Sequence, residues 1–117
     1  MMSVFLSYAF HDKTKIQKVL DKLTARGILS PHEVWVDSSE IVAGSSWRGQ
    51  IRDAIENASK FVVVWDNEAD TSDWVNYETG MAEALGKPIL VVVPKGETSR
   101  IPRNLKETEV IEIDEIK

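Results

Sequence analysis

Apolar residues fall along this chain in two alternating rhythms. Short β-branched or aromatic runs stand between stretches whose apolar positions recur at helical spacing. "SVFLSY" (Ser3 to Tyr8) reads as a first strand. Ile16, Val19, Leu20 and Leu23 follow at i, i+3, i+4 and i+7, with Asp12 or Thr14 as the cap and Gly27 as the left-handed stop. "EVWVD" (Glu33 to Asp37) reads as a second strand. The loop "SSEIVAGSS" follows, and its last serines cap a helix that carries Ile51, Ala54, Ile55 and Ala58 on one side. "FVVVW" (Phe61 to Trp65) and "ILVVVP" (Ile89 to Pro94) are apolar on both faces, as strands inside a covered parallel sheet are. Between them lies a third helix, capped by Thr71 or Ser72 and ended by Gly86 and Pro88. Its apolar face is read from Trp74, Tyr77, Met81, Ala82 and Leu85, with Glu78 on the same side. A polar segment with Gly96, Pro102 and one short helical turn precedes "EVIEI" (Glu109 to Ile113), an alternating edge strand with one wet face.

Strand and helix repeated in this order predict an α/β fold: a doubly wound parallel sheet with helices on both faces, in one domain spanning residues 1–117. Ligands bind such sheets beyond the carboxyl ends of the strands. Those ends are Ser7 to Phe10, Asp37 to Ser46 and Trp65 to Ser72. Glu78 lies about 9 Å of helix from Ser72, at 1.5 Å per residue, so its carboxylate is expected near the same rim.

Composition narrows the function more than the fold. The 43% hydrophobic and 28% charged content is that of a soluble globular protein. A net charge of -5 and the lack of any basic run disfavour nucleic acid as a partner. Apolar runs are too short to span a bilayer, so no membrane role is expected, and Met1-Met2-Ser3 leads into the first strand without a charged leader. The expected location is cytoplasmic. The absence of cysteine removes disulfides, thiolate nucleophiles and thiolate metal sites. No His, Asp and Glu cluster suggests a metal, and His11 and His32 read as surface residues.

Several candidates carry two readings from the residues alone. Glu78 is either a solvated helix residue or a carboxylate aimed at the rim. Trp74 either packs beneath the helix or forms an aromatic wall. Asp37 and Asp66 either hold a sugar or cap a turn. Ser45 and Ser46 either cap the following helix or serve a ligand or assembly. Glu83 reads as solvated.

Three segments taken together resemble the Toll/interleukin-1 receptor (TIR) domain, especially its bacterial members. "VFLSYAFHDK" is similar to the family's first strand and loop. "VWVDSSEIVAGSSWRGQIRDAI" is similar to its second strand, BB loop and next helix. "SDWVNYE" is similar to its Ser-x-Trp-x-x-x-Glu segment. The resemblance covers Val4 to Pro94, and it implies a five-stranded, flavodoxin-like parallel sheet. It further implies cleavage of NAD+ at the nicotinamide–ribose bond, with NAD+ as substrate and no separate cofactor, in antiphage defence or immune signalling. Glu78 then matches the catalytic glutamate. Ser7, Tyr8, Ala9 and Phe10 match the part of the cleft that meets nicotinamide and its ribose. Phe10 either stacks on nicotinamide or closes the first loop. Trp74 matches the motif tryptophan, and Gly44 and Ser46 the BB loop; Asp37 joins the substrate-binding candidates. The family also implies a homo-oligomer or filament built through TIR–TIR contacts, with a sensor or effector protein as a further partner. "MAEALGKPILVV" is similar to the nucleoside 2-deoxyribosyltransferases, in which a glutamate also attacks a ribosyl carbon. A non-catalytic TIR adaptor is the remaining alternative.

Overall fold

The computed structural model describes residues 3–9, 13–30, 34–37, 47–66, 69, 72–105 and 108–114. The first strand, β1 (Ser3–Ser7), leads to helix α1 (Lys13–Ala25), and β2 (Val34–Asp37) to α2 (Trp47–Asn57). Then come β3 (Lys60–Val64), α3 (Asp73–Ala84), β4 (Ile89–Pro94), two short 3₁₀ turns at Thr98–Arg100 and Arg103–Leu105, and β5 (Glu109–Ile113). All strand pairs are parallel, in the order β2-β1-β3-β4-β5. The α/β class with a parallel sheet and three helices is the one the residue pattern predicts. β1 starts where the pattern places it and ends one residue earlier, at Ser7, β3 lies one residue earlier at both ends, and β4 and β5 keep their bounds. Where one helical turn is expected between them, two 3₁₀ turns occur.

Alternation within the strands builds two cores. Phe5, Phe61, Val63, Val91 and Val93 face α2 and α3, where they meet Ile51, Ile55, Val75 and Ala82. Val4, Leu6, Val62, Val64, Leu90 and Val92 face the other way, onto Val19 and Leu23 of α1. This double coverage explains the unbroken apolar runs of β3 and β4. The rings of Phe5 and Phe61 stack at 5.7 Å between centroids, tying β1 to β3 beneath the α2 and α3 layer. In β5, Glu109 and Glu112 are exposed, and Ile113 is buried.

Helix ends are closed as the glycines suggest. Gly27 has φ +74°, and the amides of Gly27 and Ile28 donate to the carbonyls of Thr24 and Leu23. Gly86 has φ +67°, with the amides of Gly86 and Lys87 donating to Glu83 and Ala82. Both are Schellman closures, which satisfy terminal carbonyls and need a left-handed residue. Lys87 also reaches across to α2, donating from Nζ to the carbonyls of Glu56 and Ala58. A cation there meets the negative end of the helix dipole. Thr14 lies inside α1 and so is not its cap; Asp12 lies outside the described residues.

Truncating Phe61 to alanine removes the stacked ring at a fully buried site between two helices and the sheet. Phe61→Ala is expected to cost about 3–5 kcal/mol, read as a lowered midpoint in urea denaturation.

Candidate functional site

The sheet order reverses at β1, which pairs with β2 on one side and β3 on the other. In sheets of this kind ligands bind at the switch point, beyond the carboxyl ends of the strands. Ser7 ends β1, and Val64 ends β3, with Trp65 and Asp66 following. Helix α3 starts from this rim. Ser72 caps it, its Oγ accepting from the Val75 amide at 3.2 Å, and Asp73 puts an acidic side chain in the first turn. Of the two expected caps Ser72 is the one seen; Thr71 lies outside the described residues.

Helix α3 packs on β1, β3 and α2. The stripe it buries is Val75, Glu78, Thr79 and Ala82. Trp74, Tyr77, Met81 and Leu85 are half-buried and flank that stripe. This corrects the apolar face read from the sequence. Six apolar side chains spread over a wide arc of α3, and the pattern does not say which part of the arc faces the sheet. Tertiary packing selects the part that carries the carboxylate.

Glu78 is 0% exposed, so the reading as a solvated helix residue is wrong. Its Oε1 accepts a hydrogen bond from Ser7 Oγ at 2.7 Å, between residues 71 positions apart in sequence. Phe5 and Ser7 lie two apart on β1 and so share a face, which is the face α3 covers. The fold thus joins the end of the first strand to the middle of the third helix. A carboxylate withdrawn from water costs several kcal/mol unless hydrogen bonds and charges replace its hydration. The Ser7 hydroxyl supplies one such bond.

The other candidates divide. Tyr8 and Ala9 follow Ser7 at the rim and are half-buried, Tyr8 packing toward the α1 side and Ala9 toward the α3 side. Trp74 packs at the margin of the α3 core, one turn before Glu78. Asp66 is 9% exposed, and its Oδ1 accepts from the Ala69 amide at 3.0 Å, so it holds the turn after β3. Glu83 is exposed and accepts from Asn104 Nδ2 at 2.7 Å. Phe10, His11, His32, Gly44, Ser45 and Ser46 lie outside the described residues, as does the side chain of Asp37, whose backbone ends β2. Thr79 was not legible as a site residue. It is 3% exposed beside Glu78, and its Oγ1 has no hydrogen-bond partner among the described residues. Its position one turn after Val75 and three before Ala82 is the only signal the sequence offers. Among the described residues no group of three or more acidic or histidine side chains is arranged for a metal ion. No described helix is long and apolar enough to cross a membrane.

A family model described as TIR domain matches residues 4–115. The chain belongs to the TIR domain family. Two solved structures bracket this TIR domain. The CMP N-glycosidase BcmB of Clostridium botulinum aligns with a TM-score of 0.58 at 22% identity, over 98% of this chain and 90% of its own. That identity speaks for a common fold. The TIR domains of the activated Roq1 resistosome, which directly recognises the pathogen effector XopQ, align with a TM-score of 0.59 at 25% identity. That alignment covers 85% of this chain and 61% of the Roq1 chain, so this TIR domain spans less than two thirds of that chain. No curated protein matches the sequence.

Replacing Glu78 with glutamine keeps an oxygen to accept the Ser7 bond and removes the group that can carry a buried charge. Glu78→Gln is therefore expected to unfold at the wild-type temperature or above it, by scanning calorimetry. A clear loss of thermal stability in that variant contradicts this account of the buried carboxyl.

Proposed function

We propose that this TIR domain is an N-glycosidase that cleaves the nicotinamide–ribose bond of NAD+, with Glu78 as its catalytic carboxylate. The observation that carries this reading is the burial of Glu78 at the switch-point end of the sheet, in hydrogen-bond contact with Ser7. A protein that only docks partners gains nothing from an interior carboxyl group, which lowers stability; an enzyme does.

The chemistry fits one fixed negative charge. As the C1′–N bond stretches, its electron pair moves onto the pyridinium ring, and nicotinamide leaves as a neutral molecule without general-acid help. Positive charge accumulates on the ribose ring carbon and oxygen. A preorganised carboxylate beside the sugar stabilises that charge in a site screened from water. The oxygen of water then bonds to C1′ and releases its proton to Glu78 or to solvent, giving ADP-ribose. Attack by an atom of the substrate itself gives a cyclic product. The logic is that of glycosidases with one carboxylate omitted, because the leaving group is already activated. Trp74, Tyr8 and Ala9 are the described residues proposed to line the sugar and nicotinamide pocket. Assembly through TIR–TIR contacts is proposed to precede turnover, with a sensor or effector protein as trigger.

One observation favours a second reading. The fold shared with the CMP N-glycosidase extends over 98% of this chain. A nucleotide with cytosine as leaving group needs a proton on the departing base, which NAD+ does not. Glu78 then serves the same oxocarbenium ion with a different leaving group.

The test is product analysis by mass spectrometry. Purified protein at high concentration is incubated with NAD+, with CMP and with deoxynucleosides. Release of nicotinamide is expected, and Glu78→Gln is expected to lower the rate by about 10²–10³-fold. Equal turnover by wild type and Glu78→Ala removes Glu78 from catalysis, and release of cytosine from CMP alone moves the assignment to the second reading.

A further inference from the structure

The Ser7–Glu78 contact gives Ser7 a role different from the substrate contact expected of it. We infer that Ser7 is a positioning residue, whose hydroxyl fixes the plane of the Glu78 carboxylate; the inference rests on the N-glycosidase reading. A serine hydroxyl has one proton. Here that proton is committed to Glu78 Oε1, at a distance typical of a good O–H···O bond, 2.7 Å. Ser7 therefore has no hydroxyl proton left to donate to a ribose.

The mechanics of the two side chains support the assignment. The last torsion of a glutamate is soft and roughly two-fold, so the side chain alone does not set the carboxylate plane. Ser7, by contrast, is 1% exposed and has a single torsion to its oxygen. Its strand is clamped on both sides: β1 pairs with β2 and with β3, and Ser7 itself is in register with Val63. A rigid donor thus holds a pliable acceptor, which is the arrangement an electrostatic catalyst needs around its charged group. A misplacement of about 1 Å in such a group costs on the order of 10²-fold in rate.

The experiment is steady-state kinetics on the full chain with NAD+ and CMP, each variant verified as folded by circular dichroism. Ser7→Ala is expected to lower kcat by about 10²-fold with KM within about threefold, and Ser7→Thr, which keeps the hydroxyl, is expected to restore most of the loss. In a Glu78→Ala background, Ser7→Ala is expected to change the residual turnover no further, because nothing remains to be positioned. A raised KM at unchanged kcat in Ser7→Ala makes Ser7 a substrate contact and overturns the inference. So does wild-type kcat in Ser7→Ala, or a further loss in the double variant. If the wild type cleaves neither substrate, the N-glycosidase reading fails first, and Ser7 with it is reduced to a structural partner of Glu78.

Discussion

A parallel sheet cannot leave either face in water, and this constraint organises the whole molecule. Each βα unit must lay its helix over one face, and the crossover hand fixes which. Here α1 covers one side, and α2 and α3 the other, with Phe5 stacked on Phe61 between them. Once α3 is required to seal the face above β1 and β3, the residues on its inner stripe have no choice of neighbour. Val75 and Ala82 meet the core, and Glu78 between them meets the end of β1. The carboxyl group is inside because the helix that carries it must be pressed onto the sheet.

That placement sets a tension between stability and chemistry. A hydrophobic residue at position 78 would satisfy the core at lower cost, since an interior carboxyl group needs donors to stand in for water. One donor is the Ser7 hydroxyl, at the end of a strand that is paired on both sides. In the proposed reaction, the same low-dielectric surroundings that make the group costly also strengthen its effect on a developing positive charge. Sites with this character are where local rules of sequence design are broken for a function. Fold alone does not choose the reaction, because the same layered sheet serves a CMP N-glycosidase and the TIR domains of a resistosome. In the proposed N-glycosidase, the choice lies in which groups surround the sugar.

Much of the architecture was legible in the chain itself. The continuous runs of β3 and β4 declared strands covered on both faces, and the i, i+3, i+4, i+7 spacing of Ile16 to Leu23 declared the inner face of α1. Gly27 and Gly86 marked helix ends, because left-handed closures need a residue without a side chain. Less could be read in α3. Its apolar residues surround more than half the helix, so no single face stood out, and Trp74 and Tyr77 were given the central place that Val75 and Thr79 hold. Asp66 had two equal readings, and its hydrogen bond to the Ala69 amide decided for the turn.

Periodicity and turn residues therefore determined the class of fold and the order of its elements, because those depend on neighbours within a few positions. The Ser-x-Trp-x-x-x-Glu pattern also pointed to Glu78. Whether that glutamate lay in water or in the interior, and which group met it, depended on a contact across 71 residues. Local spacing carries no information about such a contact. It is fixed only when the strand order brings the end of β1 under α3, and that is a property of the assembled sheet.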